Sequence, residues 1–405
     1  MRRAGCTRAD DSDGDHTVKR ILGPVLAAHY LAAFTALGMP LFLPQVLQQL
    51  APGAAIGWSG VLYVLPTLCT ALTASTWGWL ADRYGRKRSL LRAQLGLALG
   101  FAMAGFAPNL GWLIAGLIVQ GTCGGSLAAT NAYLTTQAQH GPLTRALDWT
   151  QFSARLAMVT APGLLGLATS LGPAQSLYRG LALLPLLAFA LSWRLPADPA
   201  RPRDRPVTVA HATHADTPHQ HWTLWTTQCL FCFAMVVTFP YFLPYAQTHG
   251  IGNSAVAGLL YSLPHLVYLV LLPCWRGRDR NASPLPTGLG LFALACLLHT
   301  ASLTRGWLIV ARLLFGLGMW MALRGLNRSL AEIAGGHNAG RVFGRFDAAG
   351  KFAGVAGGVL ASALVQGHGL ALPFLAAGIA ALLALLPALL LTSVRRNLDV
   401  PVNDT

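Results

Sequence analysis

The stretch Gly78-Trp79-Leu80-Ala81-Asp82-Arg83-Tyr84-Gly85-Arg86-Lys87-Arg88-Ser89-Leu90 decides the fold. It holds one acid, four bases and two glycines, and it separates two long apolar segments. Gly78 is expected to let two helices approach closely, and Gly85 to permit a tight turn. Asp82 stands at the end of a helix. There it can hold Arg83 or Arg86, or face the N-terminus of a neighbouring helix. A basic run of this kind stays on the cytoplasmic side of a membrane.

Outward from that stretch the chain is apolar. Of 405 residues, 54% are hydrophobic and 11% charged, against about 25% charged in a soluble domain. Mean hydropathy is +0.50. The chain is therefore read as an integral membrane protein. A net charge of +15 would suit a nucleic-acid partner, but the bases lie between apolar spans, where loop topology and anionic membrane lipid account for them. The seven cysteines are scattered. Cys229 and Cys232 have CxxC spacing without a second pair, so they read as small buried residues rather than as a redox or metal site. The first twenty residues are polar. The apolar run after them is too long for a signal-peptide core, which predicts a retained first helix.

A bilayer-spanning helix needs about 20 residues. Twelve segments reach or approach that length, near 21–45, 58–79, 90–107, 111–136, 148–170, 177–193, 223–246, 255–274, 284–303, 306–331, 344–366 and 370–393. Bases cluster before the first span and after the even-numbered ones; on the opposite side only Arg179 and Arg305 stand out. Both termini are thus expected in the cytoplasm.

The chain also repeats. Pro40-Leu41-Phe42-Leu43-Pro44 returns as Pro240-Tyr241-Phe242-Leu243-Pro244, and Gly60 to Pro66 returns as Gly258 to Pro264. The expected organisation is all-α: a tail over 1–20, a six-helix bundle over 21–193, a linker over 194–222, a pseudo-symmetric second bundle over 223–393 and a tail over 394–405. The linker is rich in Pro, Arg and His. Its His211, His214, His219 and His221 read as composition bias in a solvated connector rather than as a metal site.

The opening stretch matches, at every position, the pattern Gly-x-Leu-x-Asp-Arg-x-Gly-Arg-Lys. It resembles the loop between helices 2 and 3 of the major facilitator superfamily of secondary transporters, and the helix count, duplication and linker extend that resemblance over the whole chain. It implies a multi-pass protein of the cytoplasmic (inner) membrane, with a central site between two halves and alternating access. It implies no cofactor, a proton gradient as driving force, a small-molecule substrate, lipid as surroundings and a monomer. The gating set that follows is Gly78, Asp82, Arg83, Gly85, Arg86, Asp148 and Asp347. Family members often carry Arg-x-x-Gln-Gly in helix 4. Here Leu117 takes the Arg position, Gln120 and Gly121 remain, and the equivalent base is Arg312 in the second half. Helix 5 is weakly similar to an antiporter motif through Pro162 and Gly166, which favours export.

Ionisable residues inside membrane helices normally face the bundle interior. Helix 1 carries His29 and Tyr30 where proton-coupled exporters of the family keep a carboxylate. His29 and His265 are candidate titratable groups, or hydrogen-bonded packing residues. Arg155 lies about 10 Å along its helix from Asp148, and Lys351 lies one turn after Asp347. The candidate substrate-binding set is Arg155, Lys351, Asn131, Gln120, Arg312, His29 and Tyr30. The bases either bind an anionic, oxygen-rich substrate or form a salt-bridge cluster that closes the cytoplasmic side. Gly350, Gly354 and Gly358 make a close-contact ladder. No nucleotide loop, metal spacing or triad points to an enzyme. The expected function is export of an anionic or chelating metabolite, siderophore-type, or of a drug. Import of an organic anion and a non-transporting sensor of the same fold are the rival readings.

Overall fold

The computed structural model describes residues 8–137, 143–198, 218–273, 284–301 and 304–398. Side chains are described outside 8–20, 55–56, 136, 143–147, 218–220, 331–341, 343 and 392–398. The middle of the linker, His211, His214 and both chain ends lie outside the described residues, as do the side chains of His219, Glu332 and Arg341.

All described regular structure is helical. The chain divides into two compact units, Met1–Pro52 with Leu65–Pro206, and Gly53–Val64 with Val207–Thr405. The first unit holds α1 (Arg8–Gly38), α2 (Leu43–Leu50), the greater part of α3 (Ala55–Tyr84), α4 (Arg86–Gly105), α5 (Leu110–Cys123), α6 (Ser126–Gln137), α7 (Leu143–Ala168), α8 (Ala174–Leu181) and α9 (Leu183–Trp193). In it α1 packs on α7 and α9, and α4 on α5 and α9. The second unit holds the start of α3 with α10 (Pro218–Val237), α11 (Phe242–Thr248), α12 (Ser254–Leu271), α13 (Leu285–Ala301), α14 (Arg305–His368) and α15 (Leu372–Leu398). There α10 packs on α14 and α15, and α13 on α14 and α15.

Proline sets the breaks. A proline has no N–H to donate and cannot continue a helix from within. At Pro40 the first span tightens into a 3-10 turn, Met39–Phe42, and α2 restarts with Pro44 in its first turn. At the repeat around Pro240 the chain bends by 51° between α10 and α11. Among the described residues, eight helical stretches are long and apolar enough to cross a membrane, and the bent pair makes up to nine. Among the remaining expected spans, α13 is shorter at 17 residues. Helices α4 and α7 have 20 and 26 residues but carry Arg86, Lys87, Arg88 and Arg92, and Asp148 and Arg155.

One expectation is corrected. Spans near 306–331 and 344–366 were expected as separate helices, yet α14 is helical throughout its 64 residues. No proline interrupts Arg305–His368, so backbone bonding continues through the connection. The two apolar stretches within α14 still differ in their neighbours. Gly316 and Gly318 in the first stretch lie against Pro264 and Phe292, and Gly350, Gly354 and Gly357 in the second lie against Cys232, Val236 and Phe233 of α10. Gly358 leaves that ladder and faces Val64 and the Gly60 carbonyl instead.

Candidate functional site

The α3–α4 corner is tied down at every basic residue the structure brings inward. Gly85 turns the chain at φ 102° and caps α4, a conformation that L side chains rarely adopt. Arg86 reaches Asp82 at 3.4 Å. It also donates to the Ala132 carbonyl at 3.1 Å and to Thr135 Oγ1, near the C-terminal end of α6. Lys87 Nζ donates to the carbonyls of Trp193 and Leu195 at the end of α9, at 2.8 and 2.5 Å. Both cations therefore meet the negative ends of helices. Arg83 is exposed and lies over the rings of Trp79 and Tyr84, at 5.4 and 5.8 Å.

Sequence reasoning missed Asp198. Its carboxylate accepts the Lys87 backbone N–H at 3.1 and 3.3 Å, so this acid, not Asp82, faces the N-terminus of α4. A Cβ on Gly85 would stand 2.6 Å from its Oδ2. Gly78 is also corrected. Among the described residues nothing lies within 4 Å of a Cβ built there, so it makes no close helix approach to them. The Asp82–Arg86 pair is partly exposed, and such pairs are worth up to about 1 kcal/mol. Asp82→Asn should thus leave the melting temperature of the purified protein nearly unchanged while slowing transport several-fold. Transport at the full rate would remove Asp82 from the gating set.

Farther along the same unit, α5 and α6 meet at a break, where Gly125 has φ 82°. The last carbonyls of α5 would otherwise lack donors. Thr70 holds that of Gly121, Trp77 Nε1 that of Thr122, and Arg92 those of Cys123 and Gly124. Arg92 also stacks 3.5 Å above Trp77.

Several inner polar residues of this unit pair across helices. His29, 3% exposed, meets Ser153 Oγ at 3.2 Å, and Ser153 donates to the Leu26 carbonyl. Tyr30 shares a 2.7 Å hydrogen bond with Thr160. Thr150 donates to Asn131 Oδ1 at 2.9 Å. These contacts join α1 or α6 to α7. Gln120 is buried against Gly100, whose added Cβ would press on its backbone and Cβ. Arg155 is half-buried; Asp148 and Gln151 on the same helix are exposed.

In the second unit Arg312 is 1% exposed. Its Nε donates to the Leu260 carbonyl at 3.1 Å and its Nη2 to that of Tyr261 at 2.7 Å. The Leu260 carbonyl is the one whose helical donor Pro264 abolishes. The guanidinium also lies over Phe242, Phe315 and Tyr261, at 4.3, 4.9 and 5.5 Å. Lys351 pairs with Asp347 at 2.6 Å. His265 and His299 are buried, and His299 stacks on Phe374 at 4.6 Å. Tyr241 Oη donates to Ser362 and accepts from the Gly60 N–H, both at 3.1 Å.

The family model of the Major Facilitator Superfamily matches residues 25–280. The chain belongs to the Major Facilitator Superfamily. It is accordingly a multi-pass membrane protein of that superfamily. Two relatives match smaller parts. Over 110 residues the chain is 39% identical to "Multidrug resistance protein MdtG" of Salmonella paratyphi A, covering 26% of this chain and 27% of that protein. Over 115 residues it is 33% identical to "Multi-drug resistance efflux pump PmrA homolog" of Lactococcus lactis subsp. lactis, covering 28% of each. The match thus spans about a quarter of the length of these curated relatives. Two solved structures share the fold. A POT family transporter in complex with 5-aminolevulinic acid has TM-score 0.70 at 12% identity, over 92% of this chain and 96% of that one. The peptide transporter POT in complex with sulfate has TM-score 0.70 at 14% identity, over 93% and 94%.

Proposed function

We propose that this superfamily member is a secondary active transporter that exports small organic molecules, drug-like or metabolite, by alternating access between two six-helix halves. The observation that carries the reading is the α3–α4 corner, whose Arg86 and Lys87 are anchored on the ends of α6 and α9. Such contacts hold helix ends together, and a transporter can break and remake them as its halves move. The repeated packing supports the two-half plan, since α1 on α7 and α9 corresponds to α10 on α14 and α15. The relatives named for multidrug resistance support the outward direction. A proton gradient drives the cycle, both termini face the cytoplasm, and the protein works as a monomer.

The cargo reading rests on charge. Several of the described intramembrane bases are engaged by the protein itself: Arg92 and Arg312 on carbonyls and Lys351 on Asp347. The contacts that join α1 and α6 to α7 are made by His29, Tyr30, Asn131, Thr150, Ser153 and Thr160, none of them an acid, Lys or Arg. This favours an amphipathic, drug-type molecule. Arg155, half-buried on α7, favours a second reading, an anionic or chelating metabolite of siderophore type.

The test compares cells with the protein, without it and with Arg155→Ala, measuring metabolites and added dyes in supernatant and extract under iron-replete and iron-starved growth. Cargo retained in cells lacking the protein supports export. Nutrient left unconsumed in the medium would replace export by import, and no difference at all would favour a sensor. For an anionic cargo, Arg155→Ala should lower efflux of anions about ten-fold or more with cationic dyes unaffected. Equal loss of both would make Arg155 structural.

A further inference from the structure

A groove of about 690 Å³ lies in the second unit between α10 and α14. Trp222, Trp225, Phe346 and Phe352 supply its aromatic wall, and Arg345 its charge. The apolar windows of the two helices place it. In the sequence the polar run 217–221 gives way to the apolar run 222–237, and on α14 the charged stretch holding Arg345, Asp347 and Lys351 gives way to the apolar one after it. The groove is lined from both changes of polarity, by residues between 221 and 225 and between 342 and 352. It therefore begins at a membrane boundary and runs about 10 Å inward at 1.5 Å per residue. Trp222 and Trp225 are 66% and 39% exposed and pack edge to face at 5.5 Å. Tryptophan at the start of a span is the residue of the headgroup level.

Arg345 sets this groove apart from the tied-down basic sites. Arg86, Arg92, Arg312 and Lys351 all hold protein oxygens. Arg345 is exposed and has no ion pair or hydrogen bond among the described residues. The nearest carboxylate along its helix, Asp347, already accepts from Lys351. A cation at the mouth and an aromatic wall below it match a molecule with an anionic head and an apolar body, lying along the membrane normal. We propose that the groove binds an anionic phospholipid, with the phosphate on Arg345 and the upper acyl chain against the Trp222–Trp225 and Phe352 wall. The basic excess of the chain, +15, draws such lipids towards its surface. A bound lipid would brace α10 against the second stretch of α14, beside the glycine ladder that brings those helices together.

The test uses the full-length protein purified from mixed phosphatidylglycerol and phosphatidylcholine nanodiscs, with retained lipid counted by native mass spectrometry. The wild-type protein should retain phosphatidylglycerol about five-fold over phosphatidylcholine, which corresponds to about 1 kcal/mol for one basic residue at the surface. Arg345→Gln should abolish that preference. Ala349→Trp, which fills the groove, should lower retention of both lipids at an unchanged melting temperature. An unchanged preference in Arg345→Gln would overturn the headgroup assignment. Unchanged retention in Ala349→Trp would overturn the groove itself. If a drug-type substrate, not lipid, loses binding in Ala349→Trp, the groove is a cargo portal and the lipid proposal fails.

Discussion

Arg312→Leu should leave little folded protein, and Pro264→Ala in the same chain should restore part of it. The guanidinium bonds the carbonyls of Leu260 and Tyr261 and faces three aromatic rings. Leucine supplies none of this. A buried carbonyl left without a donor costs about 1–3 kcal/mol, and a desolvated cation over aromatic rings adds about 2 kcal/mol. Removing one member of such a buried set typically costs about 3–5 kcal/mol in total. That is a large share of the ~5–15 kcal/mol that holds a domain together. Lysine at 312 keeps a charge but loses the planar fork that spans two carbonyls, so it should fall between. Alanine at 264 brings back an N–H for the Leu260 carbonyl and so repairs part of the damage. The measurements are monodisperse yield after detergent extraction and the thermal midpoint. If Arg312→Leu folds like the wild-type protein and loses only transport, and Pro264→Ala brings no rescue, Arg312 serves the cargo and not the helix.

That residue also shows what a sequence can and cannot display. The Arg312 position is visible by repeat and by motif, as the base that the first half lacks. Its partners are not, because the Leu260 and Tyr261 carbonyls lie 52 and 51 residues away. The only trace is Pro264, a proline within an apolar span, which announces an orphaned carbonyl without saying what fills it. Local patterns fared differently. The Asp347–Lys351 pair follows from one helical turn of spacing. The apolar runs follow from composition alone, whereas the breaks at Pro40 and Pro240 fall inside spans expected to be continuous over 21–45 and 223–246, although proline chemistry permits them. Asp198 stayed hidden among linker arginines, 111 residues from the Lys87 N–H it accepts. The joined α14 was missed as well. The spans were separated by apolar length, while the lack of proline permitted continuous helix.

The two glycines of the opening stretch look alike in sequence and should separate cleanly by mutation. Gly85→Val should disable the protein. At φ 102° a β-branched residue is strained by about 1–3 kcal/mol. Its Cβ would also press on the Asp198 carboxylate. Displacing that acid would free the first turn of α4, and with it the contacts of Lys87 to the end of α9. Gly78→Ala should do the reverse. Its Cβ meets open space, and alanine inside a helix is favoured over glycine by about 0.5–1 kcal/mol. The midpoint of thermal unfolding and the rate of dye efflux would be read for both, with Asp198→Ala as the partner probe. Asp198→Ala should fall between them, since it removes the carboxylate from the helix end and leaves the turn unstrained. Normal unfolding and efflux in Gly85→Val would show that the corner tolerates a rebuilt turn, and the gating role given to it would fall. A Gly78→Ala protein that unfolds normally yet exports slowly would instead place Gly78 at a close contact made only in another state of the cycle. Stability alone cannot report that contact, which is why both quantities have to be measured on each variant.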